Sequence, residues 1–106
     1  MPDTRIFERS AKYLISATRG GPMRAMILQE LIKMPLNPNQ LALRLGVDYK
    51  TIAHHLGVLK KMNWVTSGAE KYGGMFVPTF TPEERGVFNR IAQNLGKSFK
   101  TKAMEV

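Results

Sequence analysis

The tripeptide Gly46-Val47-Asp48 narrows the possible folds of this chain most, because it separates two short amphipathic segments. Gly46 can end the first segment in a left-handed conformation, and Val47 can insert as a buried apolar plug. Asp48 can cap the second segment by accepting hydrogen bonds from the free amides of its first turn. Two short helices joined by so tight a turn are typical of a helix-turn-helix. We therefore expect helices on both sides of this turn, the second one over residues 49–62 and closed by Asn63 in a left-handed conformation.

Two longer amphipathic helices are expected before this pair. Apolar residues recur at helical spacing over residues 4–18 and again over residues 23–32. The glycines and proline of Arg19-Gly20-Gly21-Pro22 separate the two runs, since glycine can end a helix and proline suits the first turn of the next one.

Two capping boxes mark further helix starts. Asn37-Pro38-Asn39-Gln40 opens the short helix that ends at Gly46, and Thr81-Pro82-Glu83-Glu84 opens the last helix. In each box the side chain of the first residue can accept a hydrogen bond from the amide of the third helical residue. The side chain of that third residue, Gln40 or Glu84, can in turn accept a hydrogen bond from the amide of the first residue. The last helix is expected to continue to about residue 100.

A β-hairpin is expected between the fourth and last helices. Trp64-Val65-Thr66-Ser67 and Met75-Phe76-Val77 are rich in strand-forming residues, and residues 68–74 form a glycine-rich tip. Pro78 has no amide hydrogen to donate to a neighbouring strand, so the second strand should lie at an edge of the sheet. The predicted fold is mainly α with a small β-hairpin (α+β), a single winged helix-turn-helix domain over residues 1–106. Its expected parts are an N-terminal helix (1–19), a helix-turn-helix core (22–65), a wing (64–80), a C-terminal helix (82–100) and a tail (101–106).

Charge and composition restrict the class of protein. The chain has 16 Lys plus Arg against 8 Asp plus Glu, a net charge of +8, and no cysteine. The basic balance favours nucleic-acid binding over a merely solvated basic surface or a lipid-headgroup site. The lack of cysteine excludes a disulfide scaffold, a cysteine nucleophile and a zinc finger, and we expect neither metal nor cofactor. No apolar run is long enough for a signal peptide or a membrane span, so we expect a cytoplasmic protein without membrane contact.

An enzyme is not expected from the motifs present. The sequence has no glycine-rich phosphate loop and no nucleophile–base spacing, and its adjacent carboxylates Glu83 and Glu84 are explained by the helix cap.

The fourth helix separates into an apolar and a polar face on a helical wheel. Ile52, Leu56 and Leu59 cluster on the face expected to point into the core, flanked by Tyr49 and His55. His55 is expected to be a packing histidine, whereas His54 lies centrally on the opposite arc and is expected to contact DNA. A glycine on that arc would let the helix backbone approach a duplex closely, and lysine, threonine and histidine can bind phosphates or base edges. The opposite arc consists of Lys50, Thr51, His54, Gly57 and Lys61.

The segment GPMRAMILQELIKMPLNPNQLALRLGVDYKTIAHHLGVLKKMNWV, residues 21–65, resembles the core of the ArsR-type winged helix-turn-helix repressors. The similar features are an arginine in the second helix, an LA..LG scaffold helix, the TIAHHLGVL segment of the fourth helix and the pair Trp64-Val65. Phe80 to Glu84, FTPEE, is similar to the segment that joins wing and last helix in these proteins and their MarR-like relatives. The resemblance spans about residues 20–95.

This resemblance implies DNA contacts from Tyr49, Lys50, Thr51 and His54, and a homodimer formed by the first and last helices. Three departures qualify it. The scaffold helix lacks the cysteines of the metal sensors, and Gly57 stands where the family often has Lys or Arg. In the wing tip, Glu70 stands beside Lys71 in the sequence, so the tip has no net charge. The expected function is a sequence-specific regulator of transcription, such as a repressor, that binds an inverted repeat of double-stranded DNA. The alternatives are a protein-interaction module and a non-specific nucleic-acid or chromatin-binding protein.

The candidate site residues form two sets. The expected DNA-binding set adds the start of the third helix and the wing tip to the fourth helix. It comprises Asn39, Gln40, Tyr49, Lys50, Thr51, His54, Lys61, Lys71 and Tyr72. The expected dimer interface is an apolar stripe of the terminal helices, for which packing within one chain is the alternative. It comprises Phe7, Ala11, Leu14, Ile15, Phe88, Ile91, Leu95 and Phe99.

Overall fold

The computed structural model describes residues 3–68 and 74–105, with side chains as far as Leu95. The contacts within the chain form two compact units. The terminal unit is Met1–Pro22 with Phe80–Val106, and the central unit is Met23–Thr79. The predicted order of elements is confirmed over the described residues, which form five α-helices and a two-stranded antiparallel hairpin. The elements are α1 (Arg5–Ala11), a π-helical turn (Lys12–Ser16), α2 (Gly21–Lys33), α3 (Pro38–Leu45), α4 (Tyr49–Lys61), β1 (Val65–Ser67), β2 (Phe76–Pro78) and α5 (Pro82–Glu105).

In the terminal unit, α1 packs against α5 through an aromatic cluster and one ion pair. The rings of Phe7 and Phe80 meet edge to face with centroids 5.2 Å apart, and Phe88 lies 5.5 Å beyond Phe80. At the rim, Arg90 Nη2 donates to Glu8 Oε1 over 2.8 Å. The aromatic rings supply buried apolar area, so they hold the two helices together more than the exposed ion pair does.

The first helix differs from the expected continuous helix over residues 4–18. It changes to π-helical winding at Lys12 and ends at Ser16. A 3.6-residue periodicity cannot distinguish one π-helical turn from an α-helical turn of the same apolar stripe. The break after it needs glycine, because a Cβ added at Gly21 would overlap the backbone carbonyl oxygen of Ile15.

The helix-turn-helix of the central unit begins with the expected capping box. Asn37 Oδ1 accepts from the Gln40 amide over 2.8 Å, and Gln40 Oε1 accepts from the Asn37 amide over 2.9 Å. The α3 helix then buries Leu41 and ends at Gly46, whose φ of 67° is left-handed. Asp48 caps α4, so the sequence-predicted turn is present with both of its caps.

The hairpin joins α4 to the end of the central unit. Val65, Thr66 and Ser67 pair with Pro78, Val77 and Phe76 in antiparallel register. Asn63 closes α4 with a φ of 60°, as expected. On the other side of β2, Leu36 forms an isolated bridge to Phe76, with the Phe76 amide 2.8 Å from the Leu36 carbonyl oxygen. This bridge ties the α2–α3 connection to the hairpin.

The last helix is longer than expected. A capping box of Thr81 and Glu84 starts it, with the Glu84 amide 3.1 Å from Thr81 Oγ1. It then continues to Glu105 rather than ending near residue 100. Residues 97–105 contain neither glycine nor proline, so nothing in that sequence ends the helix earlier.

Candidate nucleic-acid interface

One face of α4 is exposed along the length of the helix. Lys50, His54, Gly57 and Lys61 are exposed, at spacings of four, three and four residues, and we call them the α4 stripe. The opposite face buries Ile52, His55, Leu56 and Leu59. The wheel therefore separated these two sets as observed, because residues three or four apart share a helix face. Thr51, which the wheel placed on the exposed arc, is half-buried instead. At a rise of about 1.5 Å per residue, the stripe from Lys50 to Lys61 is about 17 Å long.

The stripe has cationic side chains that are not used elsewhere in the described structure. Within residues 3–68 and 74–95, neither Lys50 nor Lys61 forms an ion pair. In contrast, Lys33 lies 3.1 Å and Arg44 3.3 Å from the Glu30 carboxylate. The hydrogen bond from Lys33, with Arg44 adding to it, holds the pKa of Glu30 below its usual range. Lys50 and Lys61 thus keep their charge available for an anionic partner.

Thr51 is engaged at the N-terminus of α4. Its amide donates to Asp48 Oδ2 over 3.2 Å, and its hydroxyl donates to Asp48 Oδ1 over 2.6 Å. These hydrogen bonds lower the pKa of Asp48, the side-chain bond being the larger cause. Because the hydroxyl proton is given to Asp48, Thr51 can offer a partner only an acceptor oxygen. Phosphates are acceptors too, so in this conformation Thr51 suits a base-edge donor and not a phosphate.

Other members of the expected DNA-binding set vary in their availability. Asn39 is exposed on α3, whereas the side-chain oxygen of Gln40 is used in the capping box. Tyr49 is 52% exposed at the start of α4, although the wheel placed it beside the core. Being the first helical residue, it lies at the margin of the packed face. Lys71 and Tyr72 lie outside the described residues.

Most of the expected dimer set is buried in the single chain. Phe7, Ala11, Ile15, Phe88 and Ile91 are each at most 8% exposed. Leu14 and Leu95 are half-buried, and the side chain of Phe99 lies outside the described part of the chain. Among the described residues of this unit, the large apolar side chains that are exposed are instead Ile6, 79% exposed, and Tyr13, 65% exposed.

A buried pair behind α4 was missed in the sequence. Arg24 of α2 and His55 of α4 are 6% and 8% exposed, and Arg24 Nη1 lies 3.4 Å from His55 Nδ1. The sequence pattern does indicate such a pair, because Arg24 lies on the same helical stripe as Ile27, Leu28 and Leu31, which are all buried. A charged residue on an apolar stripe indicates a specific polar partner in the core.

No helix in the described ranges is long and apolar enough to cross a bilayer. Among the same residues, no three His, Asp or Glu side chains come together as a metal site.

Comparison with known proteins agrees with this geometry. Residues 21–67 match the family described as bacterial regulatory protein, arsR family. The fold is similar to that of Staphylococcus aureus MarR, solved in complex with salicylate and kanamycin, with a TM-score of 0.58 and 14% identity. That similarity covers 96% of this chain and 69% of the MarR chain. A comparison with curated protein sequences found no match. The resemblance seen in the sequence is thus confirmed over residues 21–67, and the chain has a winged helix-turn-helix fold similar to that of MarR.

Proposed function

We propose that this chain regulates transcription as a homodimer that binds an inverted repeat of double-stranded DNA in a sequence-specific manner. The observation that carries the proposal is the α4 stripe: an exposed, cationic face on the second helix of a helix-turn-helix. That helix enters the major groove in proteins of this architecture, and its exposed side chains then contact base edges and phosphates. We propose no enzymatic role.

The chemistry of the stripe supports both affinity and sequence readout. Lys50 and Lys61 can neutralise phosphates or, in the case of a base contact, donate to guanine. His54 can donate or accept at a base edge, according to its tautomer. At Gly57 the space that a Cβ would occupy is open, with no atom within 4 Å, and the φ is not left-handed. The lack of a side chain at this position therefore leaves the helix backbone open to close approach.

The dimer is proposed on the apolar surface that the terminal unit leaves exposed. Ile6 and Tyr13 are seven residues apart and share one side of the first helical segment, and both are more than half exposed. Half-buried Leu14 and Leu95 add to the apolar surface of this unit. Two copies related by a twofold axis would place two α4 helices at half-sites about 10 base pairs apart.

The first test is binding to duplex DNA with and without the stripe. Fluorescence anisotropy against promoter DNA of neighbouring genes, or against duplexes selected from a random pool, should give saturable binding to one motif. The double variant Lys50→Ala with His54→Ala should weaken that binding at least about tenfold, since each good contact contributes about 1–3 kcal/mol. Circular dichroism checks that the variant keeps its helices.

Lys33→Ala is the matched control, because it also removes one exposed lysine from the central unit. Its ammonium is paired with Glu30 and lies on α2, not on the stripe. We expect its affinity to stay within twofold of the wild type. Equal weakening by both variants would show that only net charge matters, and would favour a non-specific nucleic-acid binder.

A protein-interaction module is the second candidate, and one residue favours it. Leu43 lies on α3 with 84% of its surface exposed, whereas the other leucines of this helix, Leu41 and Leu45, are buried and half-buried. Leu43→Asp should leave DNA binding intact if the regulator hypothesis holds. Retained capture of a specific protein partner by the wild type, lost in Leu43→Asp, together with no DNA binding, would favour the module.

A further inference from the structure

The contact between Arg24 and His55 exists in only one protonation state of the imidazole. A guanidinium has five N–H donors and no acceptor, so the 3.4 Å contact is a hydrogen bond only if His55 Nδ1 carries a lone pair. The proton of the neutral ring then lies on Nε2. Protonation of Nδ1 would remove the acceptor and place two cations against each other in a buried position.

The surroundings of His55 favour the neutral ring. Burial lowers the pKa of His55, and the positive charges of Arg24 and His54 lower it further. Burial likewise lowers the pKa of Arg24, which remains charged at any physiological pH. Of the elements packed against α4, β1 has no ionisable residue, and the only charged residue of α3, Arg44, is bound to Glu30. The other charged residues of α2, Glu30 and Lys33, are paired with each other.

The buried ring also touches the exposed stripe. The ring centroids of His54 and His55 are 5.2 Å apart with their planes at 62°, an edge-to-face arrangement. His55 therefore contacts α2 on one side and a member of the α4 stripe on the other. A movement of the His55 ring would therefore displace the His54 ring that it contacts.

We propose that Arg24 and His55 are a positioning pair, which holds α4 and the His54 side chain in the DNA-binding orientation only while His55 is neutral. The inference rests on the proposed function, because its readout is DNA affinity. Lowering the pH should therefore weaken DNA binding, because it protonates the buried His55. This effect is opposite in sign to that of His54, whose protonation on the exposed stripe would strengthen attraction to phosphates.

The pH window follows from the direction of the shift. An unfolded histidine has a pKa near 6.5, and the folded His55 titrates below that value. Above about pH 6.5 the ring is neutral in both states, so the pair contributes fully to stability. As the pH falls further, the unfolded chain takes up a proton that the folded chain resists, and stability falls until the folded ring is protonated as well.

The experiment compares the full wild-type chain with His55→Asn, which keeps an acceptor near the Nδ1 position but cannot titrate. His54 and the N-terminal amine are present in both proteins, so the ratio of the two DNA affinities isolates His55. Measured by anisotropy at constant ionic strength, the affinity of the wild type relative to His55→Asn should fall at least about fivefold as the pH is lowered from 7.5 to below the pKa of His55, a typical size for conformational coupling.

Nitrogen-15 NMR of the imidazole gives a readout that needs no DNA. We expect the Nε2–H tautomer at pH 7.5 and a pKa below that of a histidine peptide. In Arg24→Met the pKa of His55 should rise, and in Arg24→Lys it should stay low, although the geometry of the contact changes. Because the Arg24 variants can fail to fold, the His55→Asn comparison stands independently of them.

The possible results distinguish a failure of the positioning pair from a failure of the proposed function. No duplex binding by the wild type at pH 7.5 would refute the proposed function. Tight binding at pH 7.5, with wild-type and His55→Asn affinities that stay parallel as the pH falls through the pKa of His55 measured by NMR, would overturn the positioning pair alone. An Nδ1–H tautomer at pH 7.5 would overturn it as well, since the hydrogen bond with Arg24 could then not form.

Discussion

At the scale of single residues, a substitution of Gly57 is expected to change the stability of the fold and the affinity for DNA in opposite directions. It lies in the middle of α4 without a positive φ, and a Cβ added there meets no atom within 4 Å. Glycine in a helix interior costs about 0.5–1 kcal/mol relative to alanine. We therefore expect Gly57→Ala to raise the free energy of unfolding by that amount in chemical denaturation, while it lowers DNA affinity because the new methyl group stands on the α4 stripe.

Gly86 provides the matched control for this prediction. It also lies inside a helix, α5, with open space around an added Cβ. Gly86→Ala should stabilise the fold by a similar amount and leave DNA affinity unchanged. If Gly57→Ala binds DNA as tightly as Gly86→Ala does, the backbone of α4 does not approach the duplex at that point.

Residues that act locally could be predicted from the sequence. The roles of Asn37, Gly46, Asp48 and Asn63 depend on hydrogen bonds or φ values within a few residues of each, and the structure has all four as expected. The Arg24–His55 contact joins residues 31 positions apart, and the bridge from Leu36 to Phe76 spans 40. Such contacts depend on how helices pack, which periodicity does not encode. The exposed face of α4 was predictable, whereas the partners behind it were not.

At the scale of elements, the Asn37 cap determines where α3 begins and so where the turn lies. Its side chain satisfies the Gln40 amide, and its own amide is satisfied by Gln40 in return. Asn37→Ala removes the first of these bonds, and we expect the free energy of unfolding to fall by about 1 kcal/mol. Urea or thermal denaturation followed by circular dichroism measures the change.

Asn89→Ala is the control for the cap, because it removes the same amide group from an exposed position inside α5. Its stability should stay within about 0.5 kcal/mol of the wild type, as is usual for exposed substitutions. Equal losses in both variants would mean that asparagine truncation itself, and not the cap of α3, is being measured.

At the scale of the whole molecule, the charge of +8 has a definite distribution. Residues 38–65, which contain the helix-turn-helix, carry a net charge of +3, and so do residues 1–26. Residues 66–81, which contain the wing, carry none, so the wing adds no net attraction to phosphate. Within the proposed function, the electrostatic attraction to DNA is therefore expected from α4 and not from the wing, and in a twofold dimer every such contact would occur twice.

The salt dependence of binding can therefore count the protomers on one DNA site. Each phosphate contact contributes about 0.9 to the slope of log affinity against log salt concentration. If Lys61 contacts a phosphate in both copies of a dimer, Lys61→Ala should make the slope shallower by about 1.8, against about 0.9 for a single copy. Lys33→Ala, whose ammonium is held by Glu30, should leave the slope unchanged. A loss near 0.9 would contradict the dimer on its operator, and an unchanged slope would remove Lys61 from the phosphate contacts while leaving the rest of the α4 stripe to be tested in the same way.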